Sequence, residues 1–156
     1  MSVNITFKQI GVIRTPYIDN APYQPVDEDE GDFRIVVDEK YAAGLVDLIR
    51  FRYMYVIYYI DRLTCRPSMI ISPRWTSGAK VGLFASRTAV RPNPIGISIV
   101  RIKKIVNNQI LTSGLDVFDN TLFLGIKLYV KSLLYPFLKW LSSASRLFFQ
   151  DHFIGS

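Results

Sequence analysis

Two prolines flank an asparagine, Pro92-Asn93-Pro94, directly before a β-favouring run in the segment RTAVRPNPIGISIVRI, residues 87–102. Each proline pins its own φ and withdraws one backbone donor, so the pair makes a rigid turn, not a stretch of ladder. A strand is expected at once after it, in GISIVRIKKIV, where Ile97 and Ile99 alternate with Ser98. Arg87 and Arg91 bracket the start of the turn, Asn93 can both donate and accept, and Gly96 permits close approach of backbone or ligand. Such a turn is costly unless its shape is used. The plain alternative is a proline-stiffened loop whose arginines pair with an acidic loop elsewhere in the chain.

The remaining pattern is mostly that of strands. ITFKQIGVIRTPY (5–17) alternates Ile5 and Phe7, then Ile10 and Val12, and stops at Thr15-Pro16. NAPYQPVDEDEG (20–31) reads as an exposed acidic loop, and DFRIVVD (32–38) as a short strand. In EKYAAGLVDLIRFR, Tyr41, Leu45, Leu48 and Ile49 carry the spacing of one helical face. YMYVIYYI (53–60) is continuously apolar, as in a strand buried on both sides. AKVGLFAS, QILTSGLDVF and TLFLGIKLYV add further strands, with Asn107-Asn108 as a hairpin turn that tolerates positive φ. One short helix among several strands, without βαβ rhythm, predicts a mainly β fold: an antiparallel sheet or barrel.

With 156 residues the chain holds one domain, expected over 1–132, and an apolar tail over 133–156. In the tail, Leu134, Phe137, Leu138, Leu141, Ala144, Leu147 and Phe148 fall on one stripe of an expected amphipathic helix. Lys127, Lys131, Lys139 and Arg146 interrupt the apolar stretch 122–149 and argue against a membrane span. The formal charge of +6 suits a polyanionic partner as well as a merely basic domain. A single cysteine, Cys65, excludes an internal disulfide and a multi-cysteine metal site, which fits a reducing cytoplasm. The one histidine, His152, leaves no base for Ser-His or Cys-His chemistry, and no zinc spacing or phosphate-cradling glycine motif is present. What remains is chemistry done by positioning, with no metal expected.

GVIRTPY, GLFASRTAVRPNPIGISIVRI and GLDVFDNT followed by IKLYV, in this order and separation, resemble the TrmO (YaeB, TsaA-like) family of S-adenosylmethionine-dependent tRNA methyltransferases, over about residues 7–132. The resemblance implies a single-sheeted β-barrel, antiparallel or mixed, working as a homodimer. It implies S-adenosylmethionine as cofactor and tRNA as substrate, with N6-methylation of threonylcarbamoyl-modified adenosine next to the anticodon. It also implies a cofactor site: Phe84, Ala85, Ser86 and Arg87 lead into Arg91, Pro92, Pro94, Ile95 and Gly96, and a second loop brings Leu115 and Thr121.

The sulfonium methyl is already activated, so alignment and water exclusion are the tasks left to such a site. An adenine amino nitrogen is a poor nucleophile that a hydrogen-bond acceptor would help, and Asn93, Asp116 and Asp119 are all candidates for that role. Arg14, Arg74, Lys127 and Tyr129 match recurrent family positions and are candidate RNA contacts, since guanidinium groups hold oxyanions in bidentate fashion. Two further readings stand beside this one: a barrel that holds cofactor or RNA without turnover, and a methyltransferase acting on another substrate.

Overall fold

The computed structural model describes residues 3–22, 31–73 and 76–129. Both Arg74 and the expected tail helix lie outside the described residues. Eight strands are formed among the described residues: β1 (Gly11–Arg14), β2 (Arg34–Val37), β3 (Tyr53–Tyr59), β4 (Ile70–Ile71), β5 (Val81–Gly82), β6 (Ile95–Val106), β7 (Gln109–Thr112) and β8 (Thr121–Leu128). Six of them pair in the order β1-β2-β7-β6-β3-β8, and β8 returns to β1, so the sheet closes into a barrel. Every pairing is antiparallel. Strands β4 and β5 form a separate two-stranded patch.

Proline chemistry sets where β6 begins. Its first residue, Ile95, is the first after Pro94 with a backbone donor to give, and the Pro94 carbonyl accepts from the Ile60 amide at 2.8 Å. The hairpin expected at Asn107-Asn108 joins β6 to β7 through paired Val106 and Gln109, with Asn107 at φ 53°. The pleat then sorts the side chains. Met54, Val56 and Tyr58 of β3 point inward and are buried with Val100 and Ile102 of β6, Ile13, Ile35, Ile110 and Phe123.

Several expectations need correction. Strand β3 has one buried face only, because the barrel has one dry side; its outward Tyr53 and Tyr55 rings shelter instead against Tyr129, with centroids 6.1 and 5.6 Å away. The first strand is shorter than its alternation suggests: Val3, Ile5 and Phe7 are exposed and precede the paired segment Gly11–Arg14. The expected helix is two 3-10 turns, Glu39–Leu45 and Leu48–Arg50, separated at Asp47, whose φ is 63°. A period of three keeps Leu45 and Leu48 together in the core and turns Ile49 to solvent. In AKVGLFAS only Val81–Gly82 is strand, and Leu83–Ala85 is a 3-10 turn whose buried Leu83 anchors it.

Two glycines separate packing from freedom. In the β3–β6 register Tyr58 lies opposite Gly96, and a Cβ at Gly96 would run into the Tyr58 ring. A Cβ at Gly125 would meet nothing within 4 Å. We predict that Gly96→Ala lowers unfolding stability by about 1–3 kcal/mol, as overpacking does, whereas Gly125→Ala is neutral or slightly stabilising. Equilibrium urea unfolding of the two variants checks this.

Candidate functional site

At the rim where β3 ends and β6 begins, three chain segments enclose an open cleft of about 700 Å³. They are the Arg87–Ile97 stretch, the residues after β3 (Ile60, Asp61, Arg62 and Leu63), and the loop between β7 and β8 with Asp116, Val117 and Phe118. Thr121, Tyr58, Ala21 and Pro22 complete the lining. The two motifs that stand about twenty residues apart in sequence therefore face one cavity. Among the described residues no three His, Cys, Asp or Glu side chains gather where a metal could be held.

The arginines act mainly on the protein's own backbone. Arg91 donates through Nε to the Thr88 carbonyl at 3.2 Å and through a terminal nitrogen to the Ser86 carbonyl, while its guanidinium lies 5.8 Å from the centre of the Phe84 ring. It thus ties the turn 86–91 into one shape. Arg87 reaches the Ile97 carbonyl at 3.3 Å. Arg62 donates to the Ile18 and Asp119 carbonyls at 3.3 and 2.5 Å and stacks on Phe118, so it staples the loop before β8 to the segment after β1.

On the opposite wall a polar chain runs from the barrel interior to the cleft. The Tyr58 hydroxyl is 3.0 Å from Ser98 Oγ, and Ser98 Oγ donates to Asp116 Oδ1 at 2.9 Å. Tyr58 and Ser98 are buried, and Asp116 is half-buried. Burial, and next the Asp116 charge, push the Tyr58 hydroxyl up to about 12, against the smaller opposing effects of the Ser98 bond and Arg87.

The expected site residues divide on this geometry. Arg87, Arg91, Ile95, Gly96, Asp116 and Thr121 line the cleft together. Ser86 is buried, with its hydroxyl on the Leu83 carbonyl at 2.8 Å, and Phe84 and Ala85 form the exposed turn before it. Pro92, Asn93 and Pro94 shape the turn from outside the lining; Asn93 offers its carbonyl to the Ile95 amide at 2.8 Å, and its side chain is exposed. Leu115 is wholly buried in the core. Asp119 faces away from the cleft: its Oδ1 accepts from Arg14 Nε at 2.8 Å and from the Thr15 amide at 3.1 Å. Lys127 lies at the other end of β8, about 20 Å along the strand from Thr121 at roughly 3.3 Å per residue, and Tyr129 just beyond that end, so neither is at the cleft end.

Tyr58, Ser98, Asp61 and Arg62 were not singled out from the sequence. Period two put Tyr58 on the same inward face as Met54 and Val56, and a lone hydroxyl among aliphatic interior positions was the available signal.

A small closed antiparallel barrel with a cleft built from a proline-fixed turn and a carboxylate loop defines the class of protein. The model of the tRNA-methyltransferase O N-terminal domain matches residues 12–133, and the chain belongs to that family. It is 34% identical over 160 residues to the tRNA (adenine(37)-N6)-methyltransferase of Escherichia coli K12, covering 93% of this chain and 64% of that protein. It is 31% identical over 124 residues to an S-adenosyl-L-methionine-binding protein of Archaeoglobus fulgidus, covering 78% of this chain and 87% of that one. Among solved structures, a crystal structure of TrmO superposes with a TM-score of 0.69 at 23% identity, over 83% of this chain and 59% of that one. TrmO from Pseudomonas aeruginosa gives 0.67 at 23% identity, over 83% and 58%. This chain therefore spans a little under two thirds of the Escherichia coli protein and of both structures.

The raised Tyr58 value has a consequence for stability. In the unfolded chain a tyrosine loses its proton near pH 10, whereas folded Tyr58 keeps it to about 12, so its contribution is complete below pH 10 and is lost as pH rises through 12. We predict that unfolding stability of the wild type falls by about 2–3 kcal/mol more than that of Tyr58→Phe between pH 9 and 12, read by urea unfolding at each pH.

Proposed function

We propose that this chain is an S-adenosylmethionine-dependent methyltransferase acting on the N6 of a modified adenosine beside the anticodon of tRNA. The observation that carries the reading is the meeting of the Arg87–Ile97 turn and the Asp116–Thr121 loop across one cleft of about 700 Å³, within the size range of small-ligand sites. The lining fits a nucleoside cofactor. Ile60, Ile95, Ile97, Val117 and Phe118 offer apolar wall for a purine, and Asp61 offers an acceptor for hydroxyl or amino groups. When bound, the cofactor supplies a methyl group already activated on sulfur, which departs as a neutral thioether while the acceptor nitrogen bonds to carbon.

Each residue then has a task within reach. Arg91 holds the turn that shapes the pocket, through its bonds to the Ser86 and Thr88 carbonyls. Gly96 leaves room for the Tyr58 ring behind the pocket wall. Of the three acceptor candidates, Asp116 is the one on the cleft, while Asn93 points to solvent and Asp119 is engaged with Arg14. The reading accordingly gives Asp116 the acceptor role and leaves Asn93 and Asp119 as shape-holding residues. Arg14, with its side chain 44% exposed, stays a proposed phosphate contact near the cleft end; Arg74 keeps that proposed role from the sequence, and Lys127 and Tyr129 would meet RNA at the far end of β8. A homodimer belongs to the same reading. The outer wall exposes Ile99 by 46%, and Phe84 of the turn before Ser86 is 74% exposed, apolar surface that an interface would bury. A cytoplasmic setting belongs to the same reading.

The relative from Archaeoglobus fulgidus is named for binding alone, and a binding barrel without turnover is the second reading. The expected outcome is calorimetric binding of S-adenosylmethionine by the wild type, weakened about tenfold in Arg91→Ala, with methyl transfer from labelled cofactor to threonylcarbamoyl-modified tRNA. Binding without transfer to any tRNA pool selects the second reading; no binding by folded protein overturns both.

A further inference from the structure

The polar chain Tyr58–Ser98–Asp116 has a direction that follows from its members. A carboxylate has no proton to give, so Ser98 must donate to Asp116, and its oxygen is then free to accept from Tyr58. All the donation runs outward, from the barrel interior to the cleft wall, and each bond polarises the next. Tyr58 remains a donor at every ordinary pH, since its hydroxyl keeps its proton to about 12.

The geometry that allows this is specific. Tyr58 faces Gly96 across the β3–β6 register, and Ser98 lies two residues further along β6, opposite Val56 and on the same inward face. The Tyr58 ring lies where a Gly96 side chain would be, and its hydroxyl thereby reaches the diagonal neighbour Ser98. Any residue but glycine at 96 would displace the ring.

Asp116 itself is unusual among the charges of the cleft. Arg62, Arg87 and Arg91 all line it, yet each gives hydrogen bonds to backbone carbonyls, and Asp61 is the other charged group on the lining. Asp116 takes part in none of the salt bridges among the described residues. One carboxylate oxygen is fixed by Ser98, and among the described residues the other accepts no hydrogen bond, on a wall that opens to the cavity.

We propose that Tyr58 and Ser98 are positioning residues that orient the Asp116 carboxylate, so that its free oxygen accepts the N–H of the amino group that receives the methyl. This rests on the methyltransferase reading above and adds to it the residues that aim the acceptor. As the new nitrogen–carbon bond forms and the carbon–sulfur bond breaks with its electron pair going to sulfur, the amino proton passes to the free Asp116 oxygen and from there to solvent in the open cleft.

The test is a double-mutant cycle on the full chain with Tyr58→Phe, Ser98→Ala and the double variant, each checked for folding by urea unfolding. Tyr58→Phe removes one oxygen and keeps the ring over Gly96, so it reports the relay without a change of shape. Calorimetric affinity for S-adenosylmethionine should stay within about twofold of the wild type in Tyr58→Phe, while kcat for methyl transfer falls about tenfold with little change in the KM for tRNA. In the Ser98→Ala background, Tyr58→Phe should cause no further loss, because its effect passes through Ser98. Unchanged kcat in Tyr58→Phe, a multiplicative loss in the double variant, or a loss of cofactor affinity equal to the loss of kcat would each overturn the relay while the active wild type upholds the methyltransferase reading. A wild type that binds no cofactor overturns that reading, and the relay's role with it.

Discussion

Four residues close this barrel, and much of the site hangs on how they do it. Gly11–Arg14 pairs with β2 on one side and β8 on the other, and a side chain at Gly11 would collide with the Val36 carbonyl, so the closing strand sits tight against its neighbour. Where that strand ends, its residues tie down the loop before β8. Arg14 Nε and the Thr15 amide both donate to Asp119, the Thr15 hydroxyl donates to the Val117 carbonyl at 2.9 Å, and the Asp119 amide donates to the Tyr17 carbonyl at 2.7 Å. Closure of the sheet and placement of Asp116 are therefore one constraint. The barrel cannot close in this register without presenting the carboxylate loop at the same rim.

The other wall of the cleft is set by a different economy of hydrogen bonds. Pro92 and Pro94 remove two donors and end any ladder, so β6 can start only at Ile95, and the turn before it needs another source of order. Arg91 supplies that order by donating to two carbonyls of its own loop. Between these walls the cleft floor is Tyr58, whose ring occupies the space that Gly96 leaves. A cavity framed by a proline turn, a carboxylate loop and a glycine-seated tyrosine is preformed, which suits chemistry that depends on alignment.

Much of this was legible in the sequence where local rules decide the outcome. The prolines marked the start of β6 and the asparagine pair marked the β6–β7 turn, whereas the apolar alternation of Ile97 and Ile99 fell on the outward face of β6 and not on its inward one. The resemblance of motifs carried the family and the two loops that meet at the cleft. What escaped depended on partners that no local window contains. YMYVIYYI looked buried on both faces because its outward tyrosines pack against Tyr129, over seventy residues away. The 3-10 turns at 39–50 mimicked a helix, since Leu45 and Leu48 satisfy either period. Asp116 and Asp119 were indistinguishable as acceptors until Arg14, more than one hundred residues earlier, was seen to claim the second. Tyr58 and Ser98 passed as interior filling because their partnership runs diagonally between two strands.

The central claim is that the two motif loops form one cofactor pocket. A crystal structure of the protein grown with S-adenosylhomocysteine, the demethylated form of the cofactor, tests it most directly. The account predicts density for the nucleoside between the Arg87–Ile97 turn and the Asp116–Thr121 loop, with its purine against the apolar wall of Ile60, Ile95, Val117 and Phe118. Density for the compound at another surface, with this cleft holding only solvent, would contradict it.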